Sequence, residues 1–81
     1  MSPKAQQALA YRKLPPLLRE LREQAGLTQR ALGKRLGKPQ SWVYNCETAN
    51  RRVDVTEFLL WCRACDVDSH AALRRLEEEV G

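Results

Sequence analysis

The sequence predicts an all-α fold, a compact five-helix bundle with a central helix-turn-helix. Three observations carry this. Apolar residues recur at spacings of three and four along most of the chain, no stretch alternates like a strand, and glycine, proline and capping residues cut the pattern into short segments. At 81 residues the chain is expected to form one domain.

The first helix, α1, is predicted over about residues 15–25. Leu14, Leu17, Leu18, Leu21 and Ala25 form its stripe, Pro15-Pro16 opens it and Gly26 closes it. Residues 1–13 lie ahead of this domain, which is expected to span 14–81. Ser2-Pro3 can start a helix that the two prolines then interrupt, so this stretch reads as either a short helix or a mobile arm. Thr28 is placed as an N-cap for α2, Gln29 to Leu36, with Leu27 and Leu32 spaced as a hydrophobic staple. Gly37 suits a left-handed ending, and Lys38-Pro39 restarts the chain into α3, about Pro39 to Glu47. A polar loop, Thr48 to Arg52, follows. Asp54 with Glu57 three residues on has the form of a capping box for α4, which runs to about Cys65, and Asp68 caps α5. Val67 and Ala72 are spaced as its staple, and Ala71, Ala72, Leu73, Leu76 and Val80 supply its apolar side.

Charge is unevenly distributed. Arg30, Lys34, Arg35, Lys38, Arg51 and Arg52 stand against the single acid Glu47 in the middle of the chain, whereas acids outnumber cations from Asp54 onwards. A basic middle suits a polyanion, although a charge run is also what a solvated face looks like. No apolar run approaches the roughly 20 residues of a membrane span, and the opening residues lack the apolar core of a signal peptide. A cytoplasmic protein is therefore expected, with Cys46, Cys62 and Cys65 reduced.

Two short helices joined by a glycine turn, the second polar on its outer side, are suited to entering a DNA major groove. Val43 and Cys46 point inward on α3, which leaves Gln40, Ser41, Tyr44 and Asn45 outward. Side-chain amides of this kind can bond adenine N6 and N7 together. The residues Leu27-Thr28-Gln29, Leu32, Gly37, Gln40-Ser41, Val43 and Glu47 resemble the Cro and phage-repressor type of helix-turn-helix, the xenobiotic-response-element (XRE) family, over residues 14–80. The resemblance implies that Gln40, Ser41 and Asn45 read bases and that Gln29 touches phosphate. It also places Lys38, Asn50, Arg51 and Arg52 where the family grips the backbone. Tyr44 departs from the small serine common at its position, and could add a thymine-methyl or phosphate contact. Pro39 replaces the usual serine cap, which would start α3 one residue later. Trp42 is open to two readings, packing on a sugar-phosphate strand or covering the core. Arg22 and Glu47 match positions that pair in the family; the alternative is two solvated side chains.

Cys62-Arg63-Ala64-Cys65 has CxxC spelling, and with Cys46 and His70 it evokes a zinc site. One CxxC at helical spacing reads better as two small core residues, so no metal is expected. No nucleophile has an evident base and orienting partner, so neither an enzyme nor a cofactor is expected. The expected function is a transcriptional repressor that binds a palindromic operator in double-stranded DNA as a homodimer, joined through Leu73, Leu76 and Val80. The alternative is an antitoxin-type module that neutralises a toxin and represses their shared operon.

Overall fold

The computed structural model describes residues 9–81. Among them are five helices and no strand: α1 (Leu14–Gln24), α2 (Gln29–Leu36), α3 (Gln40–Glu47), α4 (Val55–Ala64) and α5 (Ser69–Val80). Residues 9–11 are also helical and turn into α1 through Arg12 and Lys13. The expectation of an arm or short helix over residues 1–13 lies partly outside the described residues. Pro15 and Pro16 do not break α1, because they occupy its first turn, where a backbone N–H would have no helical acceptor.

Local chemistry fixes the boundaries. The Thr28 hydroxyl accepts from the Ala31 N–H at 3.0 Å, and Gly37 ends α2 at a φ of 67°. Pro39 is the N-cap of α3 without a side-chain bond, so α3 starts one residue later than Pro39. Asp54 and Glu57 complete a reciprocal capping box on α4. Asp68 caps α5 differently, accepting from the His70 N–H at 3.1 Å with no answering glutamate.

The stripe of α1, Leu14, Leu17, Leu18 and Leu21, meets Leu32 of α2, Val43 and Cys46 of α3, and Phe58, Trp61 and Cys62 of α4 in one core. Trp61 is fully buried, and its indole N–H donates to the Leu18 carbonyl at 3.1 Å. Helix α2 packs on α3 and α4, α3 on α1, and α5 on α4. Arg75 of α5 also pairs with Glu20 of α1 at 2.7 Å. Only Ala72 of α5 is fully buried. No helix among the described residues is long and apolar enough to cross a membrane.

Candidate nucleic-acid interface

The α2–α3 turn is closed by backbone contact. The Lys38 N–H donates to the Gly33 carbonyl at 2.8 Å, and a Cβ on Gly33 would lie 2.6 Å from the Lys38 carbonyl oxygen. Only glycine lets the chain double back so closely, which fixes how α3 leaves the turn. Helix α3 then buries Val43, Cys46 and Glu47. Gln40, Ser41 and Tyr44 are exposed on its outer side and Asn45 is half-buried. The Asn45 carbonyl accepts the N–H groups of Asn50 and Arg51 at 2.9 and 3.2 Å, so the following loop curls back over the end of α3. Ala49 takes the left-handed conformation there at a φ of 65°. Asn50 donates its side-chain amide to the Thr48 hydroxyl at 3.1 Å.

A continuous chain of side-chain hydrogen bonds runs from inside the bundle to this outer face. Arg22 of α1 donates through Nε to Glu47 Oε2 at 2.6 Å and through Nη2 to Oε1 at 3.0 Å. Its Nη1 donates to the Leu27 carbonyl at 2.8 Å. Glu47 Oε1 also accepts from Gln29 Nε2 at 3.1 Å, and Gln29 Oε1 accepts from Gln40 Nε2 at 2.9 Å. Arg22 and Glu47 are both buried. The bond to Glu47, outweighing desolvation, raises the already high Arg22 pKa. The consequence is positional: Gln40 is held through Gln29 and Glu47 against α1.

The cations divide between two aromatic rings. Lys38 Nζ lies over Trp42 at 5.4 Å from the ring centroid, and the Arg51 guanidinium lies over the same ring at 4.9 Å. Trp42 is half-buried and tilted against Trp61, with centroids 6.3 Å apart. Arg51 Nη1 also donates to both Glu57 carboxylate oxygens at 3.1 Å, which draws the Glu57 pKa down; the Asp54 backbone N–H acts in the same direction. Arg52 stands apart, 4.4 Å over the ring of Tyr11. The Tyr11 hydroxyl in turn accepts from the Val53 N–H at 2.8 Å. Tyr11, Glu57 and Trp61 are supports that sequence reasoning did not assign to the site. The capping-box spacing marks Glu57 as a cap, but no sequence interval points it at Arg51.

Comparison with known proteins agrees with this geometry. The family model described as a helix-turn-helix domain matches residues 16–77. A solved structure described as an XRE-family like protein from Pseudomonas syringae pv. tomato str. DC3000 is 44% identical, with a TM-score of 0.86, over 96% of this chain and 95% of that one. The chain is an XRE-type helix-turn-helix protein. It is also similar to the restriction-modification controller protein C.AhdI from Aeromonas hydrophila, at 31% identity and a TM-score of 0.68, over 80% of this chain and 97% of that one. Comparison with curated proteins finds no match. As a member of this family the XRE-type protein is a DNA-binding transcription regulator.

Away from the helix-turn-helix, the residues assigned to dimerisation do not form a uniform surface. Leu73 is 55% exposed and Val80 46%, whereas Leu76 is half-buried and packs against the core. Leu73 and Leu76 both line an apolar groove of about 220 Å³ that also takes in Val55 and Leu59 of α4, which are exposed. Cys46, Cys62 and Cys65 are unpaired and buried in the core of this XRE-type protein. Burial pushes all three thiols up, Cys65 to about 11, so they pack as small apolar groups.

Proposed function

We propose that this XRE-type protein represses transcription by occupying an inverted-repeat operator as a homodimer, each α3 reading one half-site. The observation that carries the reading is the hydrogen-bond chain Arg22–Glu47–Gln29–Gln40. A glutamine reads adenine only if its carboxamide is held in one plane and keeps a donor and an acceptor available. Gln40 donates one N–H to Gln29, which leaves its carbonyl oxygen and second N–H for a base. Ser41, Tyr44 and Asn45 extend the same face. Gln29, Lys38, Asn50, Arg51 and Arg52 border it as phosphate contacts, with Trp42 beneath two of them.

The homodimer rests on the surface that α4 and α5 leave uncovered. One α3 spans too few base pairs to select a genomic site, and a two-fold contact through Val55, Leu59 and Leu73 would bury three exposed apolar side chains on each copy. The two α3 helices then sit about one DNA turn apart, roughly 34 Å.

Selection of bound sites from random duplexes tests the reading and should return an inverted repeat at that spacing. On the selected site, Asn45→Ala should relax preference at one or two base pairs. Arg52→Ala should weaken all duplexes alike and lower the salt slope by about one. Recovery of a single unrepeated motif, or an Asn45→Ala loss equal on every sequence, would sink it.

A further inference from the structure

From the placement of Trp42 we infer that it is a positioning residue: its ring holds Lys38 and Arg51 ready for the DNA backbone and does not itself grip the strand. The inference rests on the DNA-binding reading above and concerns how its affinity arises. Lys38 stands ahead of α3 and Arg51 beyond it, so the two cations flank the reading helix in sequence, yet both lie over one ring, at 5.4 and 4.9 Å. That ring is fixed from below, since it tilts against Trp61, which is fully buried and bonded to the Leu18 carbonyl. Arg51 has a second restraint in Glu57, which engages its Nη1.

A long cationic side chain on a bare surface loses its rotamer freedom when it binds phosphate, and that loss subtracts from affinity. Lys38 and Arg51 have given up part of theirs in the unbound protein. The aromatic face restrains a cation without accepting its hydrogens in ordinary hydrogen bonds, so the ammonium and guanidinium keep donors for phosphate oxygens. Glu57, by contrast, occupies Nη1 of Arg51 and offsets part of its charge, whereas the ring restrains both cations without neutralising them. The ring also joins the cations to the core, so they follow α3 when it settles in the groove.

Ring electrostatics can be separated from ring shape by placing mono-, di- and trifluorinated tryptophan at position 42. Fluorine drains the ring face while nearly keeping its size. Affinity for the selected operator and for an unrelated duplex should fall stepwise and by the same factor, to a total of about tenfold. The cost of Lys38→Met should shrink in the most fluorinated protein. A flat series at unchanged Lys38→Met cost overturns the inference and leaves Trp42 as a cover for Trp61, a role that thermal unfolding of Trp42→Leu would then register alone. A wild-type protein that binds neither duplex would instead remove the DNA-binding reading, so the two failures are distinct.

Discussion

Around Glu47 the polar groups are closed upon one another, while the surface shared by α4 and α5 leaves Val55, Leu59, Leu73 and Val80 in water. Among the described residues no buried side-chain nitrogen or oxygen lacks a partner, so the polar half of the molecule is set before it meets anything. The apolar half is not. Directional bonds can be completed within one chain, because each donor needs only one acceptor at the right distance. Apolar area has no such end point and is removed from water only by more surface. The outer face of α3 is therefore set within the single chain, whereas the proposed pairing of two chains depends on their concentration.

The largest expected effect lies in the closed half. Glu47→Ala leaves the Arg22 guanidinium buried with only the Leu27 carbonyl and should cost about 3 to 5 kcal/mol in urea unfolding. Replacing Arg22 and Glu47 together by methionine should cost clearly less than Arg22→Met and Glu47→Met added, which a double-mutant cycle measures. Additive losses would mean that the pair contributes no more than two solvated charges, and the contrast between the halves would collapse.

In the open half the sharpest probe is Leu73→Glu. Leu76 is a poor choice, because it packs against the core and its replacement would confuse unfolding with dissociation. With Leu73 more than half exposed at 55%, unfolding of the monomer should hardly change. The dimer dissociation constant in sedimentation should rise about a hundredfold, since the symmetry places the change on both sides of the contact. A wild-type chain that stays monomeric at micromolar concentration would break the comparison from this side, and would turn attention to a different protein as the cover.

A smaller effect joins the two halves to the residues before α1. Tyr11→Phe removes the acceptor of the Val53 N–H while keeping the ring under Arg52. It should cost about 1 to 2 kcal/mol of stability, with duplex affinity nearly unchanged. Tyr11→Ala removes the ring as well and should lower affinity for every sequence. Equal affinities for the two variants would show that Arg52 works without its ring.

What the sequence makes legible divides along the same line as the chemistry. Thr28, Gly37, Asp54 and Asp68 act on backbone within a few residues of themselves, so their roles follow from spacing alone. Arg22–Glu47 bridges 25 positions, and only the family resemblance points to it in the sequence. Tyr11 to Val53, Trp61 to Leu18 and Arg35 to the Ala64 carbonyl span 42, 43 and 29 positions, and no interval encodes them. Gly33 is the instructive case. In the helical pattern it is only a weak helix former, and its necessity appears once the turn brings Lys38 against it. On α5 the periodic stripe was visible, but which of its residues faced the core depended on where α4 lay.

The smallest effect is a pH dependence. The Glu57 carboxylate accepts from Arg51 and from the Asp54 backbone N–H, and both bonds hold its folded pKa below the ordinary value of about 4.3. A depressed carboxylate contributes stability that is fully present above its unfolded pKa and is lost as pH falls through the folded one. Stability should therefore be flat near neutrality on this account and decline below about pH 4, in the window between those two values. Glu57→Gln should remove that part of the decline, because the amide keeps an acceptor for the cap but has no charge to lose. The same substitution frees Arg51 from one of its two restraints and leaves the Trp42 ring as the other. It also removes a negative charge that competes with phosphate for Arg51, so duplex affinity at neutral pH should hold or rise, and not fall as it should on trifluorination of Trp42. If Glu57→Gln weakens binding more than the altered ring does, the carboxylate, and not the aromatic face, is what positions Arg51.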